Sequence, residues 1–317
     1  MKSAKIAIMV LKLTTNTVLI TTVLLSIFLS QRLTHERFVS VDEGALRHIV
    51  TQLKSSGVDL GEADIRLISL FGLAKSGTID FERANSTRLD FYASLLRGKS
   101  AFDEIRLLPG ETTAVALREI AEKLGLDANK LYALYLHYAP YPEGVLIPET
   151  YQIIKNTKEE ALIELLVTRA LKVHRSRAIE AFGEYNEKKW FVVVTKASIV
   201  QKEAANAKEM PLVASVIENR LAKRMRLQMD GTLNYGEFSH QRVTPERIRT
   251  DFSPFNTYKY SGLPPFPVAL PSSEAIAAAV NPIKSDYLYF VRGADGKHNF
   301  TDSYNEHLNN IGQVKKP

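Results

Sequence analysis

The chain has no cysteine among its 317 residues, which excludes disulfide bonds, thiolate catalysis and cysteine-ligated zinc. Its seven histidines form no HExxH string, so metal-assisted hydrolysis lacks its usual ligands. The sequence also contains no GxxxxGK or GxGxxG phosphate loop and no GxSxG nucleophile elbow. We therefore expect neither a cofactor nor a metal.

The excess of positive over negative charge is also small. The net charge is only +6, and Lys2, Lys5 and Lys12 supply half of it. No run of lysine and arginine is interleaved with aromatic residues, so we expect no nucleic-acid partner. Apolar residues make up 45% of the chain and charged residues 24%, which is ordinary for a folded protein long enough for two modest domains.

The start of the chain holds the longest apolar run. Leu13–Leu29 has 17 residues without a charge, and Ile6–Leu11 extends it across Lys12. Together they reach the roughly 20 residues that cross a bilayer. Lysines on its N-terminal side favour a cytoplasmic N-terminus, and no small-x-small cleavage site follows. We predict a single-pass signal anchor at 1–30 in the cytoplasmic (inner) membrane, with the rest periplasmic or extracytoplasmic. A cleaved signal peptide and a buried helix stay open, since threonines weaken the hydrophobicity.

Hydrophobic periodicity predicts two folded parts after the anchor. Strand and helix patterns alternate at Phe38–Leu60, Ser76–Phe81, Leu89–Leu96 and Glu104–Leu126. These repeats predict a small α+β lobe at 31–138. Residues 139–317 predict a mixed α/β domain, and the fold class is α+β.

Two further patterns bear on packing. Tyr132, Tyr135, Tyr138 and Tyr141 recur every three residues, which favours core packing over sugar stacking, although both stay open. Leu162–Ala181 is a predicted helix whose end carries four basic residues and so predicts a solvated face: Lys172, His174, Arg175 and Arg177.

One acid stands out in the string FVVVTKASIVQKEAANAKEMP. At roughly 100° per residue of a helix, Glu203 shares an apolar face with Ile199, Val200 and Ala207. An acid on that face loses water, so its pKa should rise toward the range of a general acid at neutral pH. Gln201 points to the other side. The alternative is a surface glutamate, or one paired with Lys196 or Lys208.

Several unusual strings then appear in order along the second half of the chain. They are EGVLIPETY (Glu143–Tyr151), ASIVQKEA (Ala197–Ala204), NRLAKRMRLQMDGTLNYG (Asn219–Gly236), SPFNTYKYSGLPPFPVALPS (Ser253–Ser272) and GKHNFTDSYNEH (Gly296–His307). With these strings, residues 143–313 closely resemble the endolytic murein transglycosylase (MltG, YceG-like) family. Two positions depart from that family: Gln201 stands where the first acid of ASIVEKE is usual, and Gly231 where TDPT has proline.

The resemblance implies an endolytic lyase. The family cleaves MurNAc–GlcNAc β-1,4 bonds within peptidoglycan strands and leaves 1,6-anhydro-MurNAc ends, so terminating or trimming nascent strands. Its catalytic glutamate corresponds to Glu203, and a LysM-like, glycan-binding subdomain is implied at about 65–125. Peptidoglycan strands and the membrane are the implied partners, with peptidoglycan synthases as further ones.

The chemistry that Glu203 can perform separates three hypotheses. Hydrolases usually need two carboxylates, and Glu218 and Asp230 are distant candidates for the second, whereas a lytic transglycosylase needs one acid. A silent glycan-binding scaffold and a muramidase-type hydrolase remain alternatives. His298 is interpreted as structural. The predicted substrate-binding residues are Gln228, Asp230, Thr232, Tyr235, Asn256 and Tyr258.

Overall fold

The computed structural model describes residues 2–98, 100–239 and 241–314 and divides the chain into compact units at 1–103 and 104–317. The predicted lobe boundary at 138 and 139 therefore moves to 103 and 104. The reason is that buried side chains at 105–135, among them Ile105, Leu117 and Leu131, belong to the core of the second unit. Met1 and residues 315–317, at the tips of the first and last predicted segments, lie outside the described residues.

The first unit combines helices with short strands, as the α+β expectation requires. Its elements are α1 (Lys2–Ser30), β1 (Arg32–Leu33), β2 (Phe38–Val41), α2 (Leu46–Ser55), α3 (Glu62–Phe71), β3 (Gly77–Asp80), β4 (Ser86–Thr87) and α4 (Arg88–Arg97). Strand β1 pairs with β4, and β2 pairs antiparallel with β3, with Phe38 opposite Asp80.

Helix α1 contains the apolar run. Its part from Ile8 to Ser30 has 23 residues, a mean hydropathy of 1.8 and no buried share, which is long and apolar enough to cross a membrane. It is the one helix of this kind in the described part of the chain.

Helix α3 was not predicted from the sequence. It buries Asp64 and Ile68 but leaves Leu70 and Phe71 exposed, so apolar residues lie on several sides and hide the helical period. Asp64 pairs in the interior with Arg88, which begins α4. His35 and Asp80 are also buried in this unit, and the rest of its core is aliphatic and aromatic.

The second unit is mainly helical. Its elements are α5 (Thr113–Leu124), α6 (Ala128–Tyr138), β6 (Thr150–Ile154), α7 (Glu159–Phe182), α8 (Glu187–Glu203), α9 (Met210–Ala222), α10 (Pro245–Thr250), α11 (Ser273–Val280), β7 (Tyr289–Arg292), β8 (His298–Thr301) and α12 (Tyr304–Val314). Strand β5 (Phe102–Arg106) carries the chain into this unit and pairs with β6, while β7 and β8 form an antiparallel hairpin.

A strand–helix–helix–strand order thus occurs twice, at 38–80 and at 102–154. The predicted LysM-like interval, about 65–125, overlaps parts of both and matches neither, so it stays a prediction. Among the four tyrosines, Tyr135 is fully buried, and Tyr132, Tyr138 and Tyr141 pack partly buried against the same core. Core packing of these rings is confirmed.

Helix α8 crosses the core of the second unit. Asn186 caps its start by accepting from the amide of Lys189 at 3.1 Å, and Trp190, Val194 and Val200 are buried along it. The indole of Trp190 donates to Nδ1 of His174 at 3.0 Å. His174 is fully buried, so the predicted solvated face does not include it, and burial lowers its pKa to about 4.

Candidate active site

Glu203 is the last residue of α8. The next residue, Ala204, has extended backbone (ψ 132°), and the chain leaves the helix there. The predicted helix face is therefore right for Ile199 and Val200, which are fully buried, and wrong for Ala207, which lies exposed in the following turn. The carboxyl group consequently lies at the C-terminal end of the helix, and the residue is partly buried.

The loop after α9 approaches this carboxyl group. The backbone amide of Gly231 donates to Oε1 of Glu203 over 2.6 Å. Burial raises the pKa of Glu203 to about 7, the bond from Gly231 opposes that rise, and the charge of Asp230 adds to it. The expected rise in pKa is confirmed. Lys196, the alternative partner, is instead paired with Glu218.

Asp230 lies close enough to Glu203 for its charge to raise the pKa of that acid, although the two residues are far apart in the sequence. It precedes Gly231 in a 3₁₀ turn over Asp230–Leu233, and its Oδ1 accepts from the hydroxyl of Tyr258 at 2.7 Å. Desolvation and the bond to Asp230 raise the pKa of the Tyr258 hydroxyl above its usual value. The side chain of Asp230, which accepts a hydrogen bond from the Tyr258 hydroxyl, therefore lies beside Glu203.

Two of the predicted substrate-binding residues are fully buried. Thr232 Oγ1 donates to the carbonyl of Met229 at 2.7 Å and lies 2.9 Å from Thr257 Oγ1. Asn256 donates through Nδ2 to the carbonyls of Ile248 and Asp251 at 2.9 and 2.8 Å. The bonds of Thr232 fix the turn at 229–233, and those of Asn256 fix the segment at 248–256. Both side chains are fully buried, so they leave no surface for a sugar.

The other predicted residues lie nearer the solvent. Gln228 and Asp230 are exposed, and Tyr258 and Tyr235 are partly buried. The ring of Tyr235 stacks on Phe255 with centroids 4.4 Å apart, which makes it chiefly a packing residue. Gln228, Asp230 and Tyr258 thus keep side-chain surface exposed to solvent.

Gln201 faces away from this group, as its position two residues before Glu203 predicts. Its Oε1 accepts from the amide of Ser272 at 3.0 Å, just before α11. A glutamate at this position would offer the same accepting oxygen, so the departure from ASIVEKE keeps the hydrogen bond to Ser272.

Arg220 was not predicted from the sequence as a residue near Glu203. This arginine of α9 is buried; its Nε donates to the carbonyl of Leu288 at 2.6 Å, and its positive charge lowers the pKa of Glu203. A signal existed, because Arg220 continues the apolar face of Val213, Val216 and Ile217 at helical spacing. A cation at a core position of a helix requires polar partners that tertiary structure supplies.

Glu209 connects the chain after α8 to the C-terminal hairpin. It is buried and accepts from Nδ1 of His298 at 2.7 Å and from the amide of the same residue at 3.2 Å. Burial works against its charge, but the bonds from His298 prevail and its pKa is lowered. These contacts agree with a structural role for His298. In the described part of the chain, no three histidine, aspartate or glutamate residues are grouped to hold a metal ion.

Comparison with known proteins gives one family. The sequence model described as the YceG-like family matches residues 39–313, which is most of the chain. A crystal structure of a YceG-like protein from Listeria monocytogenes is similar in fold, with a TM-score of 0.58 and 25% sequence identity. The similarity covers 88% of this chain and 99% of that one.

Two curated relatives carry the same name. The chain is 36% identical over 169 residues to the endolytic murein transglycosylase of Bacillus subtilis, covering 52% of this chain and 46% of the relative. It is 34% identical over 180 residues to the endolytic murein transglycosylase of Streptococcus pneumoniae, covering 54% of this chain and 32% of the relative. The chain thus spans half or less of the length of these curated relatives.

Proposed function

Because the chain belongs to the YceG-like family, we propose that it is an endolytic lytic transglycosylase that cleaves peptidoglycan within its glycan strands. The observation that carries the proposal is the state of Glu203. It is an acid at a helix end, and burial raises its pKa to about 7, so a large fraction is protonated at neutral pH.

One acid is enough for this reaction. Protonated Glu203 gives its proton to the oxygen between N-acetylmuramic acid and N-acetylglucosamine, and the bond from that oxygen to C1 breaks. The carboxylate then takes the proton of the muramyl 6-hydroxyl, whose oxygen attacks C1 of the same sugar. The products are a free 4-hydroxyl on one fragment and a 1,6-anhydro ring on the other. No water is consumed.

Asp230 supports a second candidate, a muramidase-type hydrolase. A carboxylate near the acid could activate water or attack C1, and Asp230 lies beside Glu203 with Tyr258 bound to it. We favour the lyase because Asp230 is exposed and already accepts the Tyr258 hydroxyl. Gln228, Asp230 and Tyr258 are assigned to hold the sugars. Thr232 and Asn256 are assigned to fix the segments at 229–233 and 248–256, and Tyr235 to pack against Phe255.

Mass spectrometry of the digestion products tests the proposal. The full chain in detergent should convert purified peptidoglycan into fragments with anhydro ends, each lighter by one water than the corresponding reducing end. Reducing ends would establish the hydrolase instead, and intact glycan would leave a binding or scaffold protein. Fragments of many lengths early in the digestion would show endolytic cleavage.

We further propose that α1 anchors the chain with its N-terminus in the cytoplasm and both compact units outside. The support is the span from Ile8 to Ser30 and the lysines before it. Because the chain has no cysteine, Lys188→Cys and Ser3→Cys are clean labelling sites. A membrane-impermeant maleimide should label Lys188→Cys in intact spheroplasts, and Ser3→Cys only after permeabilisation. The reverse pattern would invert the topology.

The first unit is proposed to hold glycan, as the LysM-like resemblance implies. It contains a polar cleft of about 570 Å³ beside α4, lined by Arg32, Asn85, Ser94, Arg97 and neighbours. Arg97→Ser should weaken sedimentation with intact sacculi several-fold, whereas the control Arg66→Ser, on an exposed arginine that does not line the cleft, should not. Equal binding by both variants would leave this unit without a glycan-holding role.

A further inference from the structure

Gly231 contacts the proposed acid through its backbone. Its amide nitrogen lies 2.6 Å from Oε1 of Glu203, and the hydrogen bond joins the 3₁₀ turn after α9 to the end of α8. The turn is held by Thr257, whose Oγ1 accepts from the amide of Met229 at 3.2 Å and contacts Thr232. The donor is therefore part of a loop that hydrogen bonds join to Thr257.

A carboxylic acid carries its proton on one of two oxygens, and a neighbouring donor decides which. An oxygen that accepts a backbone N–H acts as the carbonyl oxygen, so the O–H group forms on the other. We propose that Gly231 is a positioning residue: its amide fixes Oε1 of Glu203 as the accepting oxygen and holds the transferable proton on Oε2. This inference rests on the proposed function and adds a residue to it.

The same geometry leaves no room for a side chain at position 231 of this chain. A Cβ atom at Gly231 would lie 2.5 Å from Cβ of Lys202 and 2.9 Å from Oε1 of Glu203, and both distances are shorter than atoms tolerate. Its φ is outside the left-handed region, so space rather than backbone conformation excludes a side chain. The proline that the resemblance places here would add a ring and remove the N–H.

Other charged and polar groups near Glu203 do not replace this donor. Asp230 raises the pKa of Glu203, and Arg220 lowers it through its charge, without a described hydrogen bond to the carboxyl. Tyr258 donates to Asp230. Lys202 donates to Ser239 through Nζ at 3.1 Å and faces Glu111 and Glu143. The amide of Gly231 is thus the donor that orients the acid in the described structure.

Two variants of the full chain test the proposal through rate and pH dependence. In Gly231→Ala the loop must move by about 1 Å, and a displacement of that size can lower the rate about a hundredfold. In Gly231→Pro the donor is lost as well. Because that donor stabilises the carboxylate, the alkaline limb of the pH–rate profile should also move up by about one pH unit. Sedimentation with sacculi should be unchanged in both.

Circular dichroism checks that each variant is folded, and Gly312→Ala in α12 is the control for a glycine-to-alanine change. A Cβ at Gly312 meets nothing within 4 Å and its φ is outside the left-handed region, so its rate should stay near that of the unaltered chain. Full activity of Gly231→Ala, or an unmoved limb in a folded Gly231→Pro, overturns the inference. If the unaltered chain itself fails to cleave peptidoglycan, the proposed function has failed instead, so the two failures are distinguishable.

Discussion

Replacing Glu203 by glutamine should lower the rate of strand cleavage about 10⁴-fold or more. General acid–base catalysis is typically worth about 10²–10⁴-fold, and here one group serves both halves of the reaction. Glutamine keeps the shape and can still accept from Gly231, but it has no proton to transfer. Stability should hardly change, since a neutral amide replaces a desolvated acid. Initial rates of fragment release from peptidoglycan measure the effect.

Gln201→Glu is the matched control for that variant. It changes the same chemical groups in the opposite direction, two residues away, and keeps the acceptor for the amide of Ser272. Its rate should lie within about twofold of the unaltered chain, because hydrogen bonds of this kind are preserved. If Glu203→Gln kept more than about a tenth of the activity, Glu203 would not be the acid, and Asp230 would become the first alternative.

Activity should fall as the pH rises through about 7. The first step needs the protonated form of Glu203, whose pKa burial raises to about 7. Above that pH the protonated fraction falls about tenfold per unit, and the rate should follow it. Below pH 6 this group should leave the rate level. The measurement is the initial rate from pH 5 to 9 with glycan in excess.

Ionisation of Glu143 could cause the same loss of activity as the pH rises through about 7, so this residue needs its own control. It is buried, and desolvation raises its pKa to about 7 against bonds from Thr113 and Gly144. A raised carboxyl pKa contributes stability that is present below the unfolded value of 4.5 and lost as the pH rises through about 7. Glu143→Gln should therefore flatten the dependence of stability on pH, while its activity should still fall as the pH rises through about 7. If that fall in activity vanished in Glu143→Gln, it could not be assigned to Glu203.

The sequence predicted what depends on local pattern. The helix that carries Glu203, its apolar face and the raised pKa all follow from the spacing of Ile199, Val200 and the acid. The end of the helix at Glu203 did not follow, because Glu209 and the hairpin shape the next turn. The burial of His174 did not follow from the sequence either. Its basic neighbours predict a solvated helix face, but His174 accepts a hydrogen bond from the indole of Trp190 in the core.

The roles of the site residues depend on contacts that no spacing encodes. Thr232, Asn256 and Gln228 all lie in strings that match the family. Thr232 and Asn256 are buried and support loops, whereas Gln228 is exposed, and this difference in burial cannot be read from the strings. Asp230 comes 27 residues after Glu203 in the sequence and lies beside it in the fold. In the sequence Gly231 is only a departure from the family pattern. Its proposed positioning role depends on the hydrogen bond from its amide to Glu203, which only the structure shows.

Digestion in water enriched in oxygen-18 tests the central claim most directly. In the proposed reaction the muramyl 6-hydroxyl attacks C1, so no solvent oxygen enters either fragment. Peptidoglycan digested by the full chain should therefore yield anhydro ends without the heavy isotope, and Glu203→Gln should yield almost no ends at all. New reducing ends that carry one heavy oxygen at C1, in excess of those in an incubation without the protein, would contradict the account, because they would show that water rather than the 6-hydroxyl had attacked C1.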